Sequence, residues 1–187
     1  MSIILSIETS IPEASVALMV DGEVIATKEF ESHRQQNKLL FPALQSVLAS
    51  MPEGESPDLI LVGTGPGSYS GSRISIAAAQ GLAIAYSCQV VGLCSFLGTS
   101  TLAEHGTAYA IGDARRDTYF IAEIQQNRTD FKSGEPELLT LDAFCEKLAS
   151  IDTEATPLFS FEKNLPIQHV CDYLVDKSHA SKLAKAW

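Results

Sequence analysis

The sequence predicts an internally duplicated α/β fold: two units, each a run of strands followed by alternating helix and strand, the second a shortened copy. Three observations carry this. Asp21-Gly22 stands between apolar runs near the start, which is a hairpin signal. The continuous apolar run 59–62, of the kind buried in a sheet covered on both faces, leads into a glycine-rich loop and an alanine-rich helical stretch. The same grammar then recurs more faintly, which sets an N-terminal unit at 1–98 and a C-terminal unit at 99–187. The chain's 187 residues are enough for two small units, and 45% hydrophobic against 19% charged residues suffices to build a core.

Residues 3–7 are apolar and largely β-branched, and 14–20 form a second such run, paired through Asp21-Gly22 with a third strand ending near Phe30. From Gln35 to Ala49 the period changes: Leu39, Leu40, Ala43, Leu44, Val47 and Leu48 recur at spacings of three and four, one face of a helix that Pro42 kinks or restarts. The polar linker MPEGESPD precedes the strand at 59–62. After GTGPGSYSGSR, residues 74–86 read as a helix crowded with small residues, and 89–93 as a strand. The second unit reads as a helix at 95–104, strands at 108–112 and 118–124 about the turn DARRD, a polar loop with Gly134, and a strand near Leu138. A short amphipathic helix in LDAFCEKLAS, a strand at 157–161 and a final helix at 166–175 complete it.

Thirteen Lys and Arg against 23 Asp and Glu give a net charge of −10, a surface that repels polyphosphate, so direct nucleic-acid binding is not expected. Gln80 interrupts the longest apolar stretch, IAAAQGLAIAY, which falls short of a membrane span. The N-terminus meets an acid too early for a signal peptide, and Cys88, Cys94, Cys145 and Cys171 form no CxxC pair. A cytoplasmic chain with reduced thiols is expected, with Cys88 and Cys94 buried and inert.

The glycine-rich loop lies between a buried strand and a helix, where backbone amides can hold an anion. It satisfies neither GxxxxGK[ST] nor GxGxxG, and Gly65, Gly67, Ser68 and Gly71 equally suit a tight strand-to-helix connection. Glu8, at the end of the first strand and followed by Thr9 and Ser10, reads as a strand terminus with Ser10 capping a turn. His33, His105, His169 and His179 form no HxxxH or HExxH pair, and GPGSYSG is not the GxSxG elbow, so neither a metal site nor a catalytic residue is assigned. Asp113, Arg115, Arg116 and Asp117 make a charged turn, either self-paired in solvent or with one arginine reaching a partner or phosphate.

Four segments, IETSIPEASVALMVDGEVIA, HRQQNKLLFPALQSVLA, LILVGTGPGSYSGSRISIAAAQGLA and DARRDTYF, resemble the TsaB (formerly YeaZ) family over roughly residues 1–125. That family is the non-catalytic subunit of the bacterial machinery that makes N6-threonylcarbamoyladenosine at position 37 of tRNA. The resemblance implies two actin-like (ASKHA, RNase H-like) lobes. It also implies binding and activation of the catalytic paralogue TsaD as a heterodimer, with the ATPase TsaE joining, and homodimers in isolation. ATP or ADP and a metal would enter only in the complex; no cofactor is intrinsic. Resemblance to the wider actin, hexokinase and Hsp70 superfamily implies that Glu8, Thr9 and Ser10 would face a nucleotide and its metal, and Gly65, Gly67, Ser68 and Gly71 of the anion-suited loop are candidates to face it with them. Leu39, Leu40, Ala43, Leu44, Val47, Ala77, Ala78 and Gly81, on the two helices, would form the partner interface. Glu8 departs from the family's usual Asp, and the chain ends in SHASKLAKAW without the family's closing tyrosine-leucine-arginine segment. An independent ATPase or kinase of the same superfamily, or a glycoprotease-like peptidase, is the alternative.

Overall fold

A computed structural model describes residues 1–31, 36–127, 130–167 and 169–187. The chain divides into two compact units, Met1–Gly98 with Ser178–Trp187, and Thr99–Lys177. The second unit was expected to run to residue 187, but the last ten residues return to the first.

In the first unit β1 (Ile3–Glu8), β2 (Glu13–Val20) and β3 (Glu23–Glu31) form an antiparallel meander, and β4 (Leu59–Gly63) and β5 (Gln89–Leu93) extend it in parallel, in the order β3-β2-β1-β4-β5. Asp21 and Gly22, both with positive φ, make the β2–β3 turn. Helix α1 (Gln36–Leu48) runs through Pro42; the expected start at Gln35, like His33, lies outside the described residues. Helix α2 (Tyr69–Tyr86) begins five residues before the expected Ile74, because Ser68 caps it by accepting the amide of Gly71 at 3.1 Å.

Alternation along β1 decides which side chains face which cover. Ile3, Leu5 and Ile7 join Val16, Leu18, Ile60 and Val62 beneath α1 and α2. On the opposite face Ile4, Met19 and Leu61 pack with Ala184 of a last helix, α5 (Ala180–Ala186). Every residue of β1 is therefore buried.

The second unit repeats the plan. A 3₁₀ turn at Ser95–Gly98 ends the first unit, and α3 (Ser100–His105) opens the second. The single helix expected at 95–104 is thus broken: Thr99 is extended (φ −91°, ψ 153°) and its hydroxyl accepts the amide of Leu102, the local competition that makes Thr a cap. β6 (Thr107–Arg115) and β7 (Thr118–Asn127) pair antiparallel, and the segment read as a polar loop holds a strand, β8 (Asp130–Ser133). β9 (Glu137–Thr140) also pairs with β7. α4 (Leu141–Ala149) follows, and β10 (Leu158–Ser160) and β11 (Leu174–Val175) add in parallel, in the order β11-β10-β6-β7-β8. Phe144 of α4 stacks on Tyr119 at 5.3 Å in a core with Ile111, Ile121, Leu148 and Leu158.

The helix expected at 166–175 does not form. Leu165 and Ile167 are both buried in that core, and two residues apart they would point to opposite sides of a helix, so the segment turns instead. Gln168 lies outside the described residues. The shortening of the second copy is located here: nothing corresponds to α2 between β10 and β11 among the described residues.

Candidate functional site

The residues singled out by sequence around the β1–β2 turn and the glycine loop come together as one network within the first unit. Glu8 is fully buried; its Oε1 accepts the amide of Ser10 at 2.7 Å and its Oε2 accepts the hydroxyl of Ser178 at 2.8 Å. Gly63 lies directly beneath it, and a Cβ there would overlap the carboxyl. Thr9 Oγ1 donates to the carbonyl of Gly71 at 2.7 Å, and the Ser68 amide donates to the carbonyl of Ser10. Ser10 Oγ donates to Ser95 Oγ at 3.0 Å, and Ser95 Oγ also accepts the amide of Gly65 at 2.9 Å. Gly67 and Gly71 let the loop and the first turn of α2 lie against the backbone carbonyls of Ser10 and Thr9, positions a Cβ could not share. Gly65 has φ +95°.

This arrangement joins the end of β1, the glycine loop and the start of α2 through side-chain and backbone hydrogen bonds. Glu8, Thr9 and Ser10 are sealed from solvent with their polar atoms already engaged. The positive φ of Gly65 and Gly67, the Ser68 cap and the close approach of Gly71 to Thr9 are features of a tight strand-to-helix connection. Among the described residues no group of three His, Cys, Asp or Glu is placed to hold a metal ion. A groove of about 570 Å³ lined by Glu123, Gln125, Phe131, Lys132, Ser133 and Gly134 lies in the second unit and contains none of these residues.

Three residues essential to the network escaped the sequence reading. Ser95 and Ser178 are single serines 87 and 170 residues away from Glu8 in the chain, with no local pattern to mark them. Gly98 is the third: a Cβ there would overlap Ser178 Oγ, so the return of the chain requires glycine. His179 then caps α5, its Nδ1 accepting the amide of Ser181 at 3.2 Å while Nε2 meets Glu29 Oε1 at 3.1 Å, and the amide of Ala180 donates to Ser15 Oγ at 3.0 Å.

Cys88 and Cys94 are half-buried rather than buried. Burial pushes the Cys94 thiol up, the backbone at Phe96 partly offsets this by hydrogen bonding, and the negative charge of Glu8 adds to the rise. A raised thiol stays protonated at neutral pH, so Cys94 is expected to alkylate with iodoacetamide more slowly than free cysteine at pH 7.5. Mass-spectrometric labelling at that site measures it, and modification at the rate of free cysteine would refute the expectation.

The residues expected at a partner interface separate into two groups. Leu40, Ala43, Leu44 and Val47 of α1 and Ala78 of α2 belong to the unit's own core and have no surface to offer, because their helical spacing is the stripe that seals the sheet. Those five are corrected. Leu39, Ala77 and Gly81 are exposed, and nothing lies within 4 Å of a Cβ built on Gly81. Phe41 (59% exposed) and Ile84 (82%) add large apolar side chains to the outward faces of these helices.

The family described as TsaD: tRNA N6-adenosine threonylcarbamoyltransferase matches residues 24–152, more than half of the chain. The chain belongs to this family. Within it the likeness is to TsaB, also called YeaZ. The chain is 31% identical over 137 residues to the tRNA threonylcarbamoyladenosine biosynthesis protein TsaB of Escherichia coli (strain K12), covering 71% of this chain and 59% of that protein. It is 28% identical over 135 residues to the Haemophilus influenzae protein of the same description, covering 68% of this chain and 57% of that protein. The chain thus spans under two thirds of the length of these curated relatives. Among solved structures, an uncharacterized protein with similarity to peptidase YEAZ, from Pseudomonas aeruginosa, superposes with a TM-score of 0.73 at 25% identity, covering 100% of this chain and 90% of that one. YeaZ from Pseudomonas aeruginosa superposes with a TM-score of 0.69 at 24% identity and the same coverage. The fold of this TsaB-like chain is the duplicated actin-like α/β fold, each sheet an antiparallel meander extended by two parallel strands. No helix among the described residues is long and apolar enough to cross a membrane.

Proposed function

We propose that the chain is a non-catalytic partner subunit in the synthesis of N6-threonylcarbamoyladenosine at position 37 of tRNA, binding and activating a TsaD-type catalytic paralogue. The observation that carries this reading is the outward face of α2, where Ala77, Gly81 and Ile84, at spacings of four and three, leave small and apolar groups uncovered, while Leu39 and Phe41 are exposed on the two flanks of the buried stripe of α1. The family membership and the likeness to TsaB support a TsaD-type partner. The network around Glu8 supports a subunit without its own chemistry, since it spends its carboxyl and hydroxyl groups on internal bonds. On this reading a TsaE-type protein joins the complex, ATP or ADP and a metal enter only with the partners, and the same helices pair two copies of the chain when TsaD is absent.

The test is co-purification with the TsaD-type subunit of the same genome, with and without ATP, followed by tRNA threonylcarbamoylation assays. The chain alone is expected to make no product; product formed by the chain alone would overturn the reading. Ala77→Arg and Gly81→Arg place a cation on the exposed face without touching the core. Each is expected to stay folded by circular dichroism and to weaken the heterodimer by about 2–4 kcal/mol. Wild-type affinity in both folded variants would move the partner to another surface.

A further inference from the structure

The β6–β7 hairpin turns without a glycine. Arg115, Arg116 and Asp117 follow one another with φ of 72°, 54° and 59°, the left-handed region that side chains with a Cβ adopt reluctantly. A two-residue loop with positive φ at both central positions is ordinarily met by Asn-Gly or Asp-Gly, and this chain uses Asp21-Gly22 for its β2–β3 turn. At the β6–β7 turn the same geometry is built from two arginines and an aspartate. The conformation is imposed by its surroundings. Asp113 Oδ1 accepts the Arg115 amide at 2.6 Å and Oδ2 accepts Arg115 Nη1 at 3.3 Å, and Thr118 Oγ1 donates to the Arg115 carbonyl at 2.6 Å. The Asp113 amide in turn donates to Glu162 Oε2 at 2.9 Å. These bonds fix Arg115 and leave Arg116 exposed at the tip, with no hydrogen bond or ion pair among the described residues.

Strain held in place by surrounding bonds marks a displayed group. We infer that the turn presents Arg116 to a carboxylate on the surface of a partner protein. The local charge selects this occupant over a nucleic-acid phosphate. Two guanidinium groups stand among the carboxyl groups of Asp113, Asp117 and Glu162 on a chain of net charge −10, which gathers no polyanion. A single guanidinium fork on a rigid turn matches one carboxylate through two parallel hydrogen bonds.

The inference rests on the partner-subunit reading, and the test separates the two. Affinity for the TsaD-type subunit is measured by calorimetry for the full chain, Arg116→Asn and Arg116→Lys, alongside thermal melts and filter retention of tRNA. Asparagine tolerates the left-handed conformation and lacks the cation. Arg116→Asn is expected to bind about tenfold more weakly, and Arg116→Lys to recover only part of the loss. The melting temperature of Arg116→Asn is expected to stay level or rise. Wild-type binding by Arg116→Asn, or a fall in its melting temperature, overturns the inference alone. Loss of tRNA retention in place of subunit binding overturns it in favour of a phosphate. No binding by the wild-type chain overturns the partner reading and this inference together.

Discussion

Gly71→Ala is expected to destabilise the first unit by about 3 kcal/mol or more, although alanine is ordinarily the better helix former. A Cβ on Gly71 would occupy the space of the Thr9 carbonyl oxygen, a backbone atom at the end of a fully buried strand. Neither side can yield cheaply. Moving α2 breaks the bond from Thr9 Oγ1 to the Gly71 carbonyl and that from the Ser68 amide to Ser10, while moving the β1–β2 turn withdraws the Ser10 amide from Glu8. Gly81→Ala provides the control within the same helix. With nothing near its Cβ, it is expected to raise stability by about 0.5–1 kcal/mol. Urea denaturation followed by circular dichroism measures both. A Gly71→Ala midpoint equal to wild type would show that the loop is not packed against the turn as described.

Removing residues 178–187 is expected to cost the first unit its cooperative folding. Helix α5 covers the face of the sheet that carries Ile4, Met19 and Leu61, and burial of such side chains is worth about 1.5–3 kcal/mol each. The sum reaches the whole stability of an ordinary domain, about 5–15 kcal/mol. The truncation also takes Ser178 from Glu8 and leaves a buried carboxyl oxygen without its donor. Ser178→Ala isolates that last contribution. It keeps α5 and should cost about 1.5–3 kcal/mol, as expected for a hydrogen bond to an acidic group. A truncated chain whose first unit still unfolds in a single sharp transition at the wild-type midpoint would refute the covering role of α5.

The burial of Ala43 and Ala78 changes what a charge placed there would report. The family resemblance places both at the partner interface, where arginine would probe partner binding. In the structure both sit in the core with Leu40, Leu44 and Val47, so arginine would unfold the unit before any interface was tested. Periodicity identifies the apolar face of a helix, but whether a sheet or another protein covers it is not written in the spacing. Ala77 and Gly81, one turn apart on the other side of α2, are the positions where the question can be put.

Local pattern determined the elements whose causes are local. The Asp21-Gly22 hairpin, the two-period strands, the amphipathic stripe of α1 and the run at Leu59–Gly63 all follow from neighbours within a few residues. The recurrence of that grammar sufficed for the duplication, and the glycine-rich segment with its flanks sufficed for the family. Tertiary structure alone decided the rest. Glu8 became an internal joint because Ser10, Ser178 and Gly63 converge on it. No helix forms among the described residues of 166–175 because Leu165 and Ile167 must both reach the second core. The last ten residues crossed back because one face of the first sheet, with Ile4, Met19 and Leu61, had no cover from its own helices. Each of these outcomes depends on a hydrophobic surface or a buried polar atom seeking a partner far along the chain, and no window of adjacent residues contains both sides of that contact.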